Sequence, residues 1–222
     1  MHLLHGQILV QIQRVSTEDP IVSKLPEHYG GNDHLSYGLT SAQLLKVVRS
    51  VVPASKMTPE DIKKAVLSLY KGKSSTEKHA ASRILQLYKE VRKLVTPDDV
   101  EKYLNYLHGW AEVDSLCQMV FDVEDFERNW ASWKRLLIKL SKDRSINKRR
   151  GSVVLLTKIV RHSDDGIYSK LAFENIDRLK SEREILITKA VSWILRAMIK
   201  NFRQDVQRYL VINHKSLPAI AV

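Results

Sequence analysis

The sequence has only one cysteine, Cys117, among its 222 residues. A single thiol cannot form a disulfide within the chain, and such scarcity is typical of proteins from a reducing compartment. We therefore expect a cytoplasmic protein. Because no histidine lies close to Cys117 in the sequence, we interpret it as a small buried residue and not as a nucleophile.

Glycine and proline are also scarce, with eight and six residues. This leaves little turn chemistry for a β protein of many strands. The pair Gly30-Gly31 stands alone, so the chain has no glycine-rich phosphate loop, and it has no Gly-x-Ser-x-Gly motif. No cysteine and histidine cluster has metal-ligand spacing. We therefore expect neither a metal site nor a cofactor.

Long hydrophobic runs are missing. No apolar stretch approaches the roughly 20 residues that a membrane-spanning helix needs. The N-terminal stretch "MHLLHGQILVQIQRV" lacks the charged start and the small-residue cleavage site of a signal peptide. We therefore expect no membrane association through a spanning segment.

Acidic residues are too few to balance the basic ones. The sequence has 25 Asp and Glu residues and 36 Lys and Arg residues, which gives a formal charge of +11 at pH 7. Such an excess favours a polyanionic partner. Charge alone leaves nucleic acid and an anionic membrane surface both open.

Apolar residues recur at helical spacing through most of the chain. Thr58-Pro59 and Thr96-Pro97 are typical helix starts, with threonine as the N-cap and proline in the first turn. After an N-terminal helix and a polar loop at 24–40, the pattern predicts about ten helices with short loops. Their ranges are 41–52, 58–70, 76–95, 96–108, 110–121, 124–140, 147–161, 167–180, 182–200 and 202–213.

Paired helices that recur about every 35–45 residues indicate a solenoid of the HEAT type. The sequence therefore predicts an all-α fold, a HEAT-like α-solenoid of about ten or more helices in antiparallel pairs. We expect a single domain over residues 1–222. A helical bundle without repeats is the competing architecture.

The four tryptophans have different surroundings in the sequence. Trp130 and Trp133 align with apolar residues at helical spacing, so they are predicted to lie in the core. Trp110 precedes Asp114 by four residues, which places the indole and the carboxylate on one face of a helix. That carboxylate could stabilise a cation or could cap a helix.

The fourth tryptophan, Trp193, shares a helical stripe with Lys189, Arg196 and Lys200. One interpretation is an indole at the edge of a helix contact, where the basic side chains extend towards water. The other is a surface that faces nucleic acid, with stacking by the indole and phosphate contacts by the cations.

The basic segment 133–150 has Asp143 as its only acidic residue and ends in three cations. These cations are Lys148, Arg149 and Arg150. They lie at a predicted helix N-terminus, capped by Asn147, where positive charge opposes the helix dipole. A bound phosphate would relieve that conflict, and a solvated basic face is the alternative.

Three stretches, "GWAEVDSL", "NKRRGSVVLL" and "ITKAVSWILRAMIK", resemble the DNA alkylation-repair glycosylases of the AlkD type. In that family a tryptophan lies four residues before a catalytic aspartate, a pattern that Trp110 and Asp114 match. The family's arginine before a small and then apolar run corresponds to Arg150, and its second tryptophan corresponds to Trp193. The sequence departs from the family at Gly109, where a bulky residue is frequent, and at Glu112, where aspartate is frequent.

The resemblance implies a HEAT-like solenoid with a concave basic surface that excises positively charged N3- and N7-alkylated purines from duplex DNA without base flipping. Asp114 would stabilise the oxocarbenium-like sugar, and Trp110 and Trp193 would attract the cationic nucleoside. Arg150 would hold the flanking phosphate. Further DNA contacts are expected from Lys148, Arg149, Lys189, Arg196 and Lys200.

We expect such an enzyme to act as a monomer. Two alternatives belong to other functional classes. One is a relative that binds DNA structures without catalysis, and the other is a HEAT-type scaffold that binds a protein.

Overall fold

The computed structural model describes residues 1–17, 19–22 and 34–221. These residues form twelve α-helices, a 3-10 helix at Ala219–Ala221 and one pair of two-residue strands. The all-α class predicted from the apolar periodicity is therefore confirmed, and the short strand pair is an addition that the sequence did not indicate. The part of the predicted loop 24–40 that includes Gly30 and Gly31 lies outside the described residues.

The described residues divide into two compact units, 1–120 and 121–222. The predicted single domain and the predicted solenoid stay predictions. The first unit contains α1 (Leu3–Val15), β1 (Ile21–Val22), β2 (Leu35–Ser36), α2 (Ser41–Ala54), α3 (Pro59–Tyr70), α4 (Ser75–Leu87), α5 (Lys89–Lys93), α6 (Pro97–Leu104) and α7 (Gly109–Met119), with the two strands antiparallel. The second unit contains α8 (Val123–Glu127), α9 (Trp130–Leu140), α10 (Ile146–His162), α11 (Gly166–Leu179) and α12 (Ile185–Asn213).

Both predicted threonine caps are confirmed. The Thr58 hydroxyl accepts a hydrogen bond from the Asp61 amide at 3.2 Å, and the Thr96 hydroxyl accepts one from the Asp99 amide at 3.3 Å. The Asp99 carboxylate in turn accepts from the Thr96 amide at 3.0 Å. These bonds satisfy amides that a helix start otherwise leaves unpaired.

Two predicted helices are each interrupted. In the segment 76–95, Tyr88 leaves the helical conformation with φ −107° and ψ 90°, which separates α4 from α5. In the segment 124–140, α8 ends at Glu127, and Asn129 caps the start of α9. Apolar residues keep their helical spacing across both breaks, so periodicity alone does not reveal them.

The predicted break between residues 200 and 202 is a kink inside α12. Phe202 has non-helical angles, with φ −130° and ψ 37°. Beside it, the Asn201 side-chain amide donates to the carbonyls of Val160 and Ser163 at 3.0 and 3.1 Å. The kink therefore coincides with a side-chain cap on the last turn of α10.

The predicted core tryptophans differ in burial. Trp133 is buried, stacks on Phe126 at 4.3 Å between ring centroids, and donates its indole N–H to the Asp125 carbonyl at 2.9 Å. Trp130 is half-buried and packs edge-on against Tyr168 at 4.9 Å. The core prediction is confirmed for Trp133, whereas Trp130 covers the margin of the core because it begins α9.

Candidate catalytic residues and nucleic-acid interface

The first turn of α7 carries an indole at the surface. His108, the N-cap residue, is extended, and Gly109 follows with a φ of 69°, a left-handed conformation that glycine adopts without strain. The next side chain, Trp110, is 44% exposed. The glycine at position 109, one of the departures from the family that the sequence resembles, is explained by the backbone of this turn.

Asp114 lies one turn after Trp110 on α7 and is half-buried. A helix leaves only its first four amides unpaired, so an aspartate this far into the helix cannot act as the N-cap. The N-cap residue is His108. Asp114 is therefore not the N-cap residue of α7, and helix geometry places its carboxylate on the face that carries the Trp110 indole.

Several other side chains of α7 anchor the helix in the first unit. Val113, Leu116 and Cys117 are buried there, so the interpretation of Cys117 as a small buried residue is confirmed. Behind them, the Ser115 hydroxyl donates to the Glu112 carbonyl at 2.8 Å and lies 3.0 Å from the Ser82 hydroxyl on α4. Apolar packing and buried polar contacts together fix the helix that carries Trp110 and Asp114.

A buried carboxylate, Glu112, holds the turn before Trp110. Its Oε2 accepts from the His108 amide at 2.9 Å, and its Oε1 lies 2.8 Å from Nδ1 of His34. The His34 and His108 rings stack at 4.7 Å between centroids. From α4, Nε2 of His79 lies 3.4 Å from the Ala111 carbonyl, and burial lowers the pKa of His79 although the charge of Glu112 opposes that shift.

Lys148 and Arg149 both contact acidic side chains of the second unit. The Arg149 guanidinium reaches the two Glu182 oxygens at 2.8 and 3.0 Å, and Lys148 lies 3.3 Å from Asp143. Ser145 is the N-cap residue of α10, so the predicted Asn147 cap is wrong by two positions. The carboxylates of Asp143 and Glu182 offset the unfavourable interaction between these cations and the helix dipole. This removes one reason for expecting a bound phosphate there.

Arg150 is the most enclosed of the three cations. It is only 4% exposed and donates from Nη1 to the Leu186 carbonyl at 2.5 Å. Burial follows from its place on α10, the helix that packs against α9, α11 and α12. The guanidinium thus ties α10 to the first turn of α12, and its expected phosphate contact stays a prediction.

Helix α12 has a buried apolar face and a more exposed basic face, as the sequence predicts. The apolar side, namely Ile187, Ala190, Val191, Ile194, Leu195 and Met198, is buried. Trp193 is half-buried, while Lys189, Arg196 and Lys200 are exposed. The structure therefore brings these four residues together on one helix, with an accessible part of the indole among basic side chains.

The two units differ in charge. Residues 121–222 contain 21 Lys and Arg against 12 Asp and Glu, a difference of +9. Residues 1–120 contain 15 against 13, a difference of +2. Most of the positive excess therefore belongs to the unit that contains Arg150 and Trp193.

The part of the chain that the structure describes contains no group of three or more His, Cys, Asp and Glu residues arranged to hold a metal ion. Within these same residues, every helix is too short or too polar to span a lipid bilayer. An open cavity of about 840 Å³ is lined by residues of α1 and α2, and the candidate residues are not among those lining it.

Sequence patterns identified Trp110 and Asp114 but not the histidines around Glu112. Gly109 before an indole could have indicated a left-handed turn. His34, His79 and His108 are far apart in the sequence and meet only in the folded unit, so spacing alone could not have linked them.

The sequence matches the family described as DNA alkylation repair enzyme over residues 16–222. A search of curated proteins gave no significant match. The family match includes α2 to α12 and all the candidate residues discussed above. The chain therefore belongs to the DNA alkylation repair enzyme family.

Proposed function

We propose that this repair enzyme is a DNA glycosylase that hydrolyses the N-glycosidic bond of N3- and N7-alkylated purines in duplex DNA. One observation carries the proposal. On α7, the exposed indole of Trp110 and the carboxylate of Asp114 lie one turn apart, and the N-cap residue of the helix is His108, not Asp114. A carboxylate next to an accessible aromatic face suits a substrate that is cationic before and during the reaction.

The reaction needs little activation of the leaving group. An alkylated purine already carries positive charge, so it leaves as a neutral base when it takes the electrons of the C1′–N bond. The positive charge moves to the deoxyribose, and the Asp114 carboxylate stabilises it electrostatically. A water molecule then adds to C1′ and transfers a proton to the carboxylate, acting as a general base.

Binding of the DNA is assigned mainly to the second unit. Lys189, Arg196 and Lys200 are exposed on α12 and suit phosphate contacts, with Trp193 between them. The positive excess of +9 in residues 121–222 supports this assignment. The exposure of Trp110 supports reaction at the sugar of a lesion that stays in the duplex, because extrusion of a base needs a pocket to receive it.

A DNA-binding protein without catalysis is the second candidate. The observation that favours it concerns residues 148–150, where Lys148 and Arg149 contact carboxylates and Arg150 contacts a backbone carbonyl. These cations therefore make contacts within the second unit, and those contacts do not depend on a bound phosphate. Such a protein would bind alkylated duplex and release no base.

Incubation with methylated duplex DNA distinguishes the two candidates. We expect free 7-methylguanine and 3-methyladenine by chromatography, and no release from unmethylated duplex. Asp114→Asn is the matched control, because an amide group replaces the carboxylate while the side chain keeps its shape. Base release that persists in this variant would come from a contaminating glycosylase. Tight binding without base release would favour the second candidate and exclude the first.

A further inference from the structure

Glu112 is completely buried, yet its carboxylate belongs to the same helical turn as the exposed Trp110. One oxygen accepts from the His108 amide at 2.9 Å and the other meets Nδ1 of His34 at 2.8 Å. Since a carboxylate only accepts, His34 donates this bond through Nδ1. The carboxylate therefore joins the backbone before the turn to a side chain that lies 78 positions away.

We propose that Glu112 and His34 are positioning residues, which fix the His108–Gly109 turn and thereby set the Trp110 indole relative to Asp114. The inference rests on the proposed glycosylase function for its catalytic consequence, but the position of the indole can be measured without catalysis. No substrate contact is assigned to Glu112, because its side chain is enclosed by the protein.

The backbone explains why this turn needs to be held. Gly109 has a left-handed φ of 69° and, as glycine, is the residue with the widest choice of backbone conformations. Trp110 follows directly, so rotation at Gly109 would move the indole. The bond from the His108 amide to Glu112 closes a loop around Gly109, and the stacked rings of His34 and His108 support it from the side.

The length of the Glu112 side chain is part of this arrangement. Elsewhere in the chain, Asp99 and Asp125 reach the amide of a residue three positions earlier, at 3.0 and 3.1 Å. Glu112 instead reaches the amide four positions earlier, at His108, and contacts His34 as well. Glu112→Asp keeps the charge and removes one methylene group, so it tests reach separately from charge.

The chain also offers a matched control pair. Glu77 is buried, accepts from the amide of its N-cap residue Ser74 at 2.8 Å and meets a histidine, His5, at 2.7 Å. This pair joins α1 to α4 in the same manner and is not assigned to substrate binding or catalysis. His5→Ala should therefore reproduce the structural cost of losing a buried histidine–carboxylate contact.

The first experiment compares His34→Ala, Glu112→Asp and His5→Ala by fluorescence. Each variant is made with and without Trp110→Phe, and the difference spectrum isolates the emission of Trp110. We expect its emission maximum and acrylamide quenching to change in His34→Ala and Glu112→Asp. In His5→Ala both should stay as in the native protein.

The second experiment measures single-turnover excision of 7-methylguanine by the same proteins. Misplacement of a reacting group by about 1 Å commonly costs on the order of 100-fold in rate, and we expect a loss of about 10- to 100-fold for His34→Ala. Restoring a donor with His34→Gln should recover part of that loss. His5→Ala should excise at the native rate per folded molecule.

Unchanged Trp110 emission in both His34→Ala and Glu112→Asp would overturn the proposal, and so would equal changes in His5→Ala. Native protein that excises nothing would defeat the proposed function and leave the fluorescence comparison to decide the positioning role. If His34→Ala does not fold, Glu112→Asp and His34→Gln carry the same test with smaller changes.

Discussion

Asp114 follows Trp110 by one turn inside α7, and it is not the N-cap residue of that helix. The residue before Trp110 is a glycine with a left-handed φ, and several other side chains of the helix are buried. The indole and the carboxylate therefore lie on an anchored helix whose first turn has an unusual conformation. This relationship separates a chemical role for Asp114 from a role in helix initiation.

Asp114→Asn should remove activity while preserving the fold. The change keeps the shape and removes the negative charge, and loss of one preorganised electrostatic contact costs about 2.7–4 kcal/mol of barrier, or about 100- to 1000-fold in rate. DNA affinity should stay equal or rise, because a charge that repels phosphate is removed. Single-turnover excision beside thermal unfolding measures both effects, and normal excision by a destabilised variant would assign Asp114 to packing.

Trp193→Ala should impair processing of a lesion more than it impairs folding. Trp193 is half-buried among exposed basic residues, and stacking of a base or sugar on such a side chain contributes about 1–3 kcal/mol. Trp130→Ala is the matched control, since Trp130 is also half-buried and lies in the same unit. Equal losses of excision per folded molecule in both variants would remove the special role of Trp193.

Affinity for duplex DNA should fall steeply with salt, by several units on a log–log plot. Because the second unit holds most of the positive excess, removing cations from α12 should flatten that dependence. Lys200→Gln should lower the slope by about one unit for one lost phosphate contact. Lys64→Gln, in the first unit at an exposed pair with Asp61, is the control and should leave the slope unchanged. A flat dependence for the native protein would contradict phosphate binding.

The sequence predicted the helical class and the faces of α12 because both follow from apolar spacing within one element. It could not predict the break at Tyr88, since the apolar pattern continues through it. The burial of Arg150 was missed for a different reason. An arginine near a helix start is usually solvated, and only the packing of α10 against its neighbouring helices encloses this one.

The same distinction applies to the candidate site. Trp110 and Asp114 are near each other in the sequence, so helix geometry relates them directly. The contact between His34 and Glu112 depends on tertiary packing of segments far apart in the chain. Spacing therefore predicts residues that share a helix, and it does not predict the residues that hold that helix in place.

Glu77 should contribute stability that is lost in acid. Burial raises the pKa of its carboxyl, but hydrogen bonds from His5 and Ser74 outweigh burial, so the pKa lies below its ordinary value of 4.5. A carboxyl with a depressed folded-state pKa stabilises the fold above its unfolded value, and this contribution disappears as the pH falls through the folded value. Glu77→Gln should therefore cost most near neutral pH and progressively less below pH 4.5. Urea unfolding across that range measures the difference, and a cost that grows in acid would contradict the assignment.

Arg150→Gln distinguishes a contact to phosphate from a contact within the fold. Arg150 is buried and donates to the Leu186 carbonyl, which ties α10 to the start of α12. Hydrogen bonds to charged groups contribute about 1.5–3 kcal/mol, and we expect the free energy of unfolding to fall by about that amount. The carbonyl of Leu186 would also lose a partner, while the salt dependence of DNA binding should change less than in Lys200→Gln.

The comparison needs a second arginine with a different kind of partner. Arg208→Gln serves because Arg208 pairs with Asp205 on the exposed surface of the same unit, where one ion pair contributes only about 0–1 kcal/mol. Arg150→Gln should thus destabilise the protein more than Arg208→Gln does. If it instead leaves unfolding unchanged and lowers the salt slope by about one unit, the guanidinium reaches a phosphate when DNA binds. That result would require Arg150 to exchange the Leu186 carbonyl for the DNA backbone, and it would assign α10 a direct part in holding the lesion.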